Sequence, residues 1–255
     1  MIPPEPPAPE NPPPDIPEVS FVPAPEPARG EAYWDYQDLA VFICLSVVSL
    51  FAALMVVYYI PVLRALATPY KLVIGQLIWY VLVFSCLAAI LRLRYDRPFW
   101  SSLGWQATGV RTAIASFFVG PLLAIAVGIA GAAMRTPQIH LPFEGMLKGV
   151  GLLVLFGVLI VVIGPLCEEL AFRGFMMPLF IRSLGAPAGI IITGILFGAL
   201  HAFEYPDWRP VVLVCFAGCV FGWRRYETGS TVNSMLMHAG FNLIQFVGLL
   251  ATQPS

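Results

Sequence analysis

The sequence predicts an all-α, polytopic membrane bundle of about seven spanning helices, within a range of six to eight. Three observations carry that prediction. Of the 255 residues, 58% are hydrophobic and 11% charged, and mean hydropathy is +0.80, well beyond the apolar share of an ordinary soluble domain. Apolar segments recur at lengths near the roughly 20 residues that cross a bilayer as a helix. The charges between them stand singly or in pairs, which leaves little chain for an extramembrane domain and excludes the basic, aromatic-interleaved surface of a nucleic-acid binder.

The N-terminus is the exception to this pattern. Residues 1–30 hold twelve of the 24 prolines, and residues 1–38 hold eight of the fifteen acids against Arg29 alone. Such a segment buries too little apolar surface to offset its ordering entropy, so residues 1–37 are expected to be a proline-rich, acidic, disordered tail of extended or polyproline II character. It reads as a spacer or as a recognition arm for a proline-binding partner, and it lacks the basic-then-apolar order of a cleaved signal peptide.

Residues 38–144 then form an N-terminal group of membrane helices, with apolar segments at about 39–63, 70–91 and 112–133. Residues 145–253 form a C-terminal membrane core, with segments at about 149–163, 187–202, 210–223 and 231–251. The fourth segment is short unless it continues through Gly164-Pro165 to about 182. The stretch 92–105, with Arg97, Phe99, Trp100 and Trp105, has the aromatic-belt composition of an interfacial connector. With seven spans, eight Lys/Arg fall on the N-terminal side and five on the other, Arg173 being set aside. The positive-inside rule then puts the N-terminus in the cytoplasm, and the compact chain with its proline-rich tail suggests a bacterial inner membrane. Cys44, Cys86, Cys167, Cys215 and Cys219 lie in apolar stretches without metal or redox spacing and are read as buried free thiols.

Ionisable side chains are costly in hydrocarbon, so each one inside a span is a functional hypothesis. They concentrate in three clusters: Glu168-Glu169 with Arg173, Phe197 with His201, and His238 with Asn242. Glu169 and Arg173 are four residues apart, on one helix face and in the favourable acid-first order, so they are expected to pair as an electrostatic brace. Glu168 lies about 100° round from Glu169 and about 140° from Arg173, which leaves it to face a polar space as the reactive carboxylate. His238 and Asn242 are one turn apart and share a face; His140 sits in a loop between Pro137 and Pro142 without such company. A carboxylate, two imidazoles and an amide on separate helices suit water activation and oxyanion stabilisation. The same Glu168, His201 and His238 could instead ligate a divalent metal such as Zn2+, and spacing alone does not choose. Ser183 and Ser234 lack a nucleophile-elbow context. Glu204, three residues after His201, reads as a loop acid or as a group that orients that imidazole.

These motifs resemble those of the CPBP family of intramembrane proteases, which includes type II CAAX prenyl endopeptidases and bacteriocin-processing or self-immunity membrane proteins. The family pattern of Glu-Glu-x-x-x-Arg, Phe-x-x-x-His and His-x-x-x-Asn is met in order at Glu168/Glu169/Arg173, Phe197/His201 and His238/Asn242, over about residues 145–250. The resemblance implies a helical membrane endopeptidase acting on membrane-embedded or membrane-associated proteins or peptides, possible CAAX-like or lipidated ones included. Carried over, Glu168 and His201 activate the water, while His238 and Asn242 form the oxyanion hole. A glutamate-dependent mechanism without cofactor is favoured over a zinc-dependent one. The competing readings are a non-enzymatic membrane scaffold or immunity protein, in which the charges only hold helices together, and a proton-coupled transporter.

Overall fold

A computed structural model describes residue 1 and residues 32–137, 149–205 and 207–252. His140 and most of the proline-rich tail lie outside the described residues. Among the described residues, helices of 16 residues or more occupy the seven predicted positions, and no strand occurs. They are α1 (Tyr36–Tyr59), α2 (Thr68–Tyr95), α3 (Val110–Ala133), α4 (Val150–Leu184), α5 (Ala186–His201), α6 (Trp208–Thr228) and α7 (Thr231–Thr252). Helices α1 to α4 and α7 are long and apolar enough to cross a membrane, and α5 is a shorter apolar helix. The molecule is a multi-pass helical membrane protein.

Local chemistry sets the boundaries. Asp35 caps α1 by accepting from the backbone N–H groups of Gln37 and Asp38, while the Asp38 carboxylate accepts from the Asp35 N–H, a reciprocal capping box. Pro61 opens a separate helical turn after α1, Pro69 sits in the first turn of α2, and α2 stops at Asp96 in the left-handed conformation, φ 51°. The 92–105 connector includes a further helical turn, Phe99–Ser102, where Phe99 meets Trp100 edge-on and Trp100 meets Trp105 at a tilt. The fourth segment does run on through Gly164-Pro165, and α4 reaches Leu184 with two π-helical stretches, Leu159–Ile163 and Leu170–Met176.

Three helix pairs surround α4: α1 with α2, α3 with α7, and α5 with α6. Two of them pack backbone against backbone. A methyl group on Gly120 of α3 would collide with the Met237 carbonyl, and one on Gly240 of α7 with the Phe117 carbonyl, so these glycines let α3 and α7 touch. Gly194 and Gly198 of α5 receive Cys219 and Cys215 of α6 in the same way, the small-residue packing typical of membrane helices. The buried-thiol expectation holds for Cys167 alone: Cys44 is exposed on α1, and Cys86, Cys215 and Cys219 are partly buried.

The last residues of the expected tail pack against α4. Trp34 is completely buried, stacks on Phe175 of α4 at 5.1 Å and donates its indole N–H to the Phe175 carbonyl at 3.0 Å. Arg182 donates to the Ala32 carbonyl at 2.7 Å. Ala32 and Trp34 are therefore part of the packed structure, although composition places them within a tail that runs to residue 37.

Candidate active site

The centre of the bundle is a charge network with no exposed surface. Glu169 and Arg173 are both 0% exposed, and the Arg173 Nη1 donates to Glu169 Oε1 at 2.8 Å. The predicted pair is therefore formed. The other end of the guanidinium donates to the Gly218 carbonyl of α6 at 2.6 Å and lies over the Phe197 ring, 4.6 Å from its centroid. A buried cation is tolerable only with such partners, and here they tie α4 to α5 and α6.

Glu169 has a second contact that helix spacing does not reveal. Its Oε1 also faces His238 Nδ1 of α7 at 3.1 Å. A carboxylate only accepts, so Nδ1 carries the hydrogen, and in the neutral imidazole Nε2 is left with a bare lone pair. The His238 ring is stacked on Phe221 at 4.5 Å and stands edge-on to Phe197 at 5.6 Å, which fixes its plane. Glu169 is thus an orienting group for His238 as well as a brace.

Glu168 emerges on the other side of the same turn, with 30% of its side chain exposed, and its Oε2 is 3.7 Å from His238 Nε2. That distance exceeds a direct hydrogen bond. The resemblance pairs Glu168 with His201, but among the described residues the imidazole in ion-pair range of Glu168 is that of His238. His201 directs Nδ1 at the Phe197 carbonyl one turn back, 2.8 Å away, with its ring against Phe197 at 4.7 Å. Phe197 therefore separates and supports both imidazoles. Glu204 is exposed, and its backbone N–H bonds the His201 carbonyl at 2.9 Å, the arrangement of a loop acid at the helix end.

Asn242 is engaged where α4 changes its winding. The Gly164 N–H reaches back five residues to the Leu159 carbonyl. Pro165, next in that pattern, has no N–H to offer Ile160, and the Asn242 side-chain amide donates to that carbonyl instead at 2.9 Å. One of its two N–H groups therefore holds α7 to the turn that precedes Glu168.

The alternative metal set was Glu168, His201 and His238. Among the described residues no three His, Cys, Asp or Glu side chains converge closely enough to hold a metal ion, so the residues as placed do not form such a site. Ser183 and Ser234 donate to the Leu179 and Thr231 carbonyls of their own helices.

Fold and site together define a polytopic membrane protein with a carboxylate–imidazole centre buried among its helices. Residues 150–244 match the family described as type II CAAX prenyl endopeptidase Rce1-like, so the C-terminal core is similar to that family. No curated protein and no solved structure matches the chain. The match spans α4 to most of α7 and contains all three motifs.

Proposed function

We propose that the protein is an intramembrane endopeptidase in which Glu168 and His238 together hold the attacking water, without a metal or other cofactor. The observation that carries this reading is the 3.7 Å gap between Glu168 Oε2 and His238 Nε2. Both atoms are acceptors, and one water with two bonds of about 2.8 Å can donate to both, leaving its own lone pair directed outward. Glu168 takes a proton from that water as the oxygen adds to the scissile carbonyl carbon. The carbonyl π electrons move to oxygen, and collapse of the tetrahedral species returns the proton to the departing amine nitrogen. Glu169, pinned by Arg173, keeps His238 in the tautomer that accepts. His201 is the second imidazole of the site, and Asn242 keeps an N–H for the developing oxyanion.

The substrates in this reading are membrane-embedded or membrane-associated proteins or peptides, CAAX-like or lipidated ones among them. The bilayer is the working environment, and nucleic acid has no part. The proposed setting is a bacterial inner membrane with a cytoplasmic N-terminus, whose proline-rich tail is a spacer or a docking arm.

The test compares new peptide termini in membranes carrying the wild type or Glu168→Gln at matched levels. Termini found only with wild type, together with a folded variant whose thermal midpoint is unchanged, are the expected result. Identical termini from two folded proteins would leave the charges a scaffolding role and overturn the proposal.

A further inference from the structure

Two arginines are buried among the described residues, Arg173 and Arg225, and their surroundings differ. Arg173 has the Glu169 carboxylate, the Gly218 carbonyl and the Phe197 ring. Arg225, in the last turn of α6, is 6% exposed, and among the described residues its guanidinium makes one hydrogen bond, from Nε to Thr231 Oγ1 at 2.9 Å. The N–H groups of Nη1 and Nη2 meet no acceptor there. No acid pairs with Arg225 among these residues either, since Glu227 is engaged by Arg224 at 2.7 Å. A buried cation is costly without a counter-ion and acceptors for its donors, so Arg225 is set up for an anion that the bundle itself does not supply.

The neighbouring elements hold the guanidinium without neutralising it. Thr231 Oγ1, which accepts from Arg225, donates to the Leu103 carbonyl at 2.6 Å, and the Thr231 N–H donates to the Gly104 carbonyl at 2.9 Å. Gly104 has φ 66°, and a methyl group there would fall 2.1 Å from Arg225 Nη2, so the bare backbone leaves the space in which the guanidinium lies. Arg225 is thereby fixed between the 92–105 connector and the first turn of α7. The C-terminus of α6 and the N-terminus of α7 meet at this turn with opposite partial charges. Those offset one another and leave the full charge of the guanidinium. Trp223 and Tyr226, on either side of Arg225 in sequence, are exposed, as is Trp100 of the connector. Tryptophan and tyrosine at a helix end mark the depth of the lipid headgroups.

We infer that Arg225, at the junction of α6, α7 and the 92–105 connector, binds a phosphate group, supplied in the membrane by the headgroup of an anionic phospholipid. The planar fork of guanidinium donors suits two phosphate oxygens at once, and the exposed aromatic residues place it at headgroup depth. Thr231, which holds the guanidinium, lies about 10 Å along α7 from His238. The phosphate site is therefore separate from the carboxylate–imidazole centre and stands whether or not that centre cleaves peptides.

The experiment measures the thermal midpoint of the full-length protein in an uncharged detergent with added phosphatidylglycerol, phosphatidylcholine or inorganic phosphate, and identifies retained lipid by native mass spectrometry. Wild type is expected to gain about 5 °C with phosphatidylglycerol and less than about 1 °C with either of the others, and to retain phosphatidylglycerol in preference to phosphatidylcholine. Arg225→Met keeps the length of the side chain without its donors and is expected to lose both the gain and the retained lipid. Arg225→Lys keeps the charge without the fork; it is expected to keep about half of the gain, and it serves if Arg225→Met does not fold. Equal gains in wild type and in every folded variant would place the lipid elsewhere and overturn the inference, as would a wild type that retains the two lipids equally. A gain with inorganic phosphate alone, lost in Arg225→Met, would uphold the phosphate site and overturn its membrane source.

Discussion

Arginine–carboxylate pairs occur at three depths in this molecule, and the same chemistry does different work at each. Arg173–Glu169 has both members at 0% exposure. Arg94–Asp38 joins an arginine exposed at 46% to an aspartate at 2%. Arg209–Asp207 leaves 30% and 22% of its two side chains in contact with the surroundings. Inside, the pair cannot be replaced by solvent, so it sets the position of a third group, His238. At the rim, water competes for the same atoms, and the pair closes a helix end: Arg209 also donates to the Met134 and Arg135 carbonyls beyond α3. Burial, more than distance, separates a site-building ion pair from a clamp, since the three closest contacts span only 2.6 to 2.8 Å.

The interior pair gives the largest effect. Arg173→Met leaves Glu169 buried without its cation, and the expected loss is about 3–5 kcal/mol, read as a large drop in thermal midpoint in detergent. Adding Glu169→Leu removes the stranded charge and is expected to restore at least half of that stability. Cleavage is not expected to return, because His238 has lost the carboxylate that fixes its tautomer. A double variant that is stable and cleaves at the wild-type rate would show that the pair only holds helices together.

Asp38 is the intermediate case. It accepts from Arg94, from the Tyr95 hydroxyl and from the Asp35 N–H, which joins α1 to the last turn of α2. Asp38→Asn keeps the size and one acceptor but loses the charge, and the expected cost is about 1–2 kcal/mol with cleavage unchanged. Thermal midpoints and cleavage rates measured together check this. A loss of cleavage at full stability would mean that the α1–α2 pair is coupled to the site more tightly than through packing.

The depth of each pair bears on how much of it could be read in the sequence. Seven apolar segments, the run-on of the fourth, and the Glu169–Arg173 pair were legible because each is a local regularity: a length, a composition, or an interval of four residues. Glu169–His238 joins residues 69 positions apart, and no periodicity encodes it. The Asn242 contact depended on a π-helical stretch, which spacing at 3.6 residues per turn does not anticipate, although the Gly164-Pro165 step marks the place. Trp34 was masked by the proline-rich composition before it, yet Asp35 and Asp38, three apart at the head of an apolar run, are the pattern of a capping box and could have moved the tail boundary.

The rim pair gives the smallest effect, and pH isolates it. The Arg209 side chain and backbone N–H, both bonded to Asp207 ahead of α6, hold that carboxyl down to about 2, below its ordinary 3.8. A depressed carboxyl contributes stability above its unfolded value and loses that contribution as pH falls through the folded one. The clamp is therefore fully present at pH 6, weakens below about 4 and is gone near 2. Asp207→Asn still caps the helix but cannot titrate, so its thermal midpoint should lie slightly below that of wild type at pH 6, and the gap should close between about pH 4 and pH 2. A gap that stays constant over that range would mean that Asp207 acts through its cap geometry alone, and that at the rim of this bundle the charge of an ion pair contributes nothing its hydrogen bonds do not.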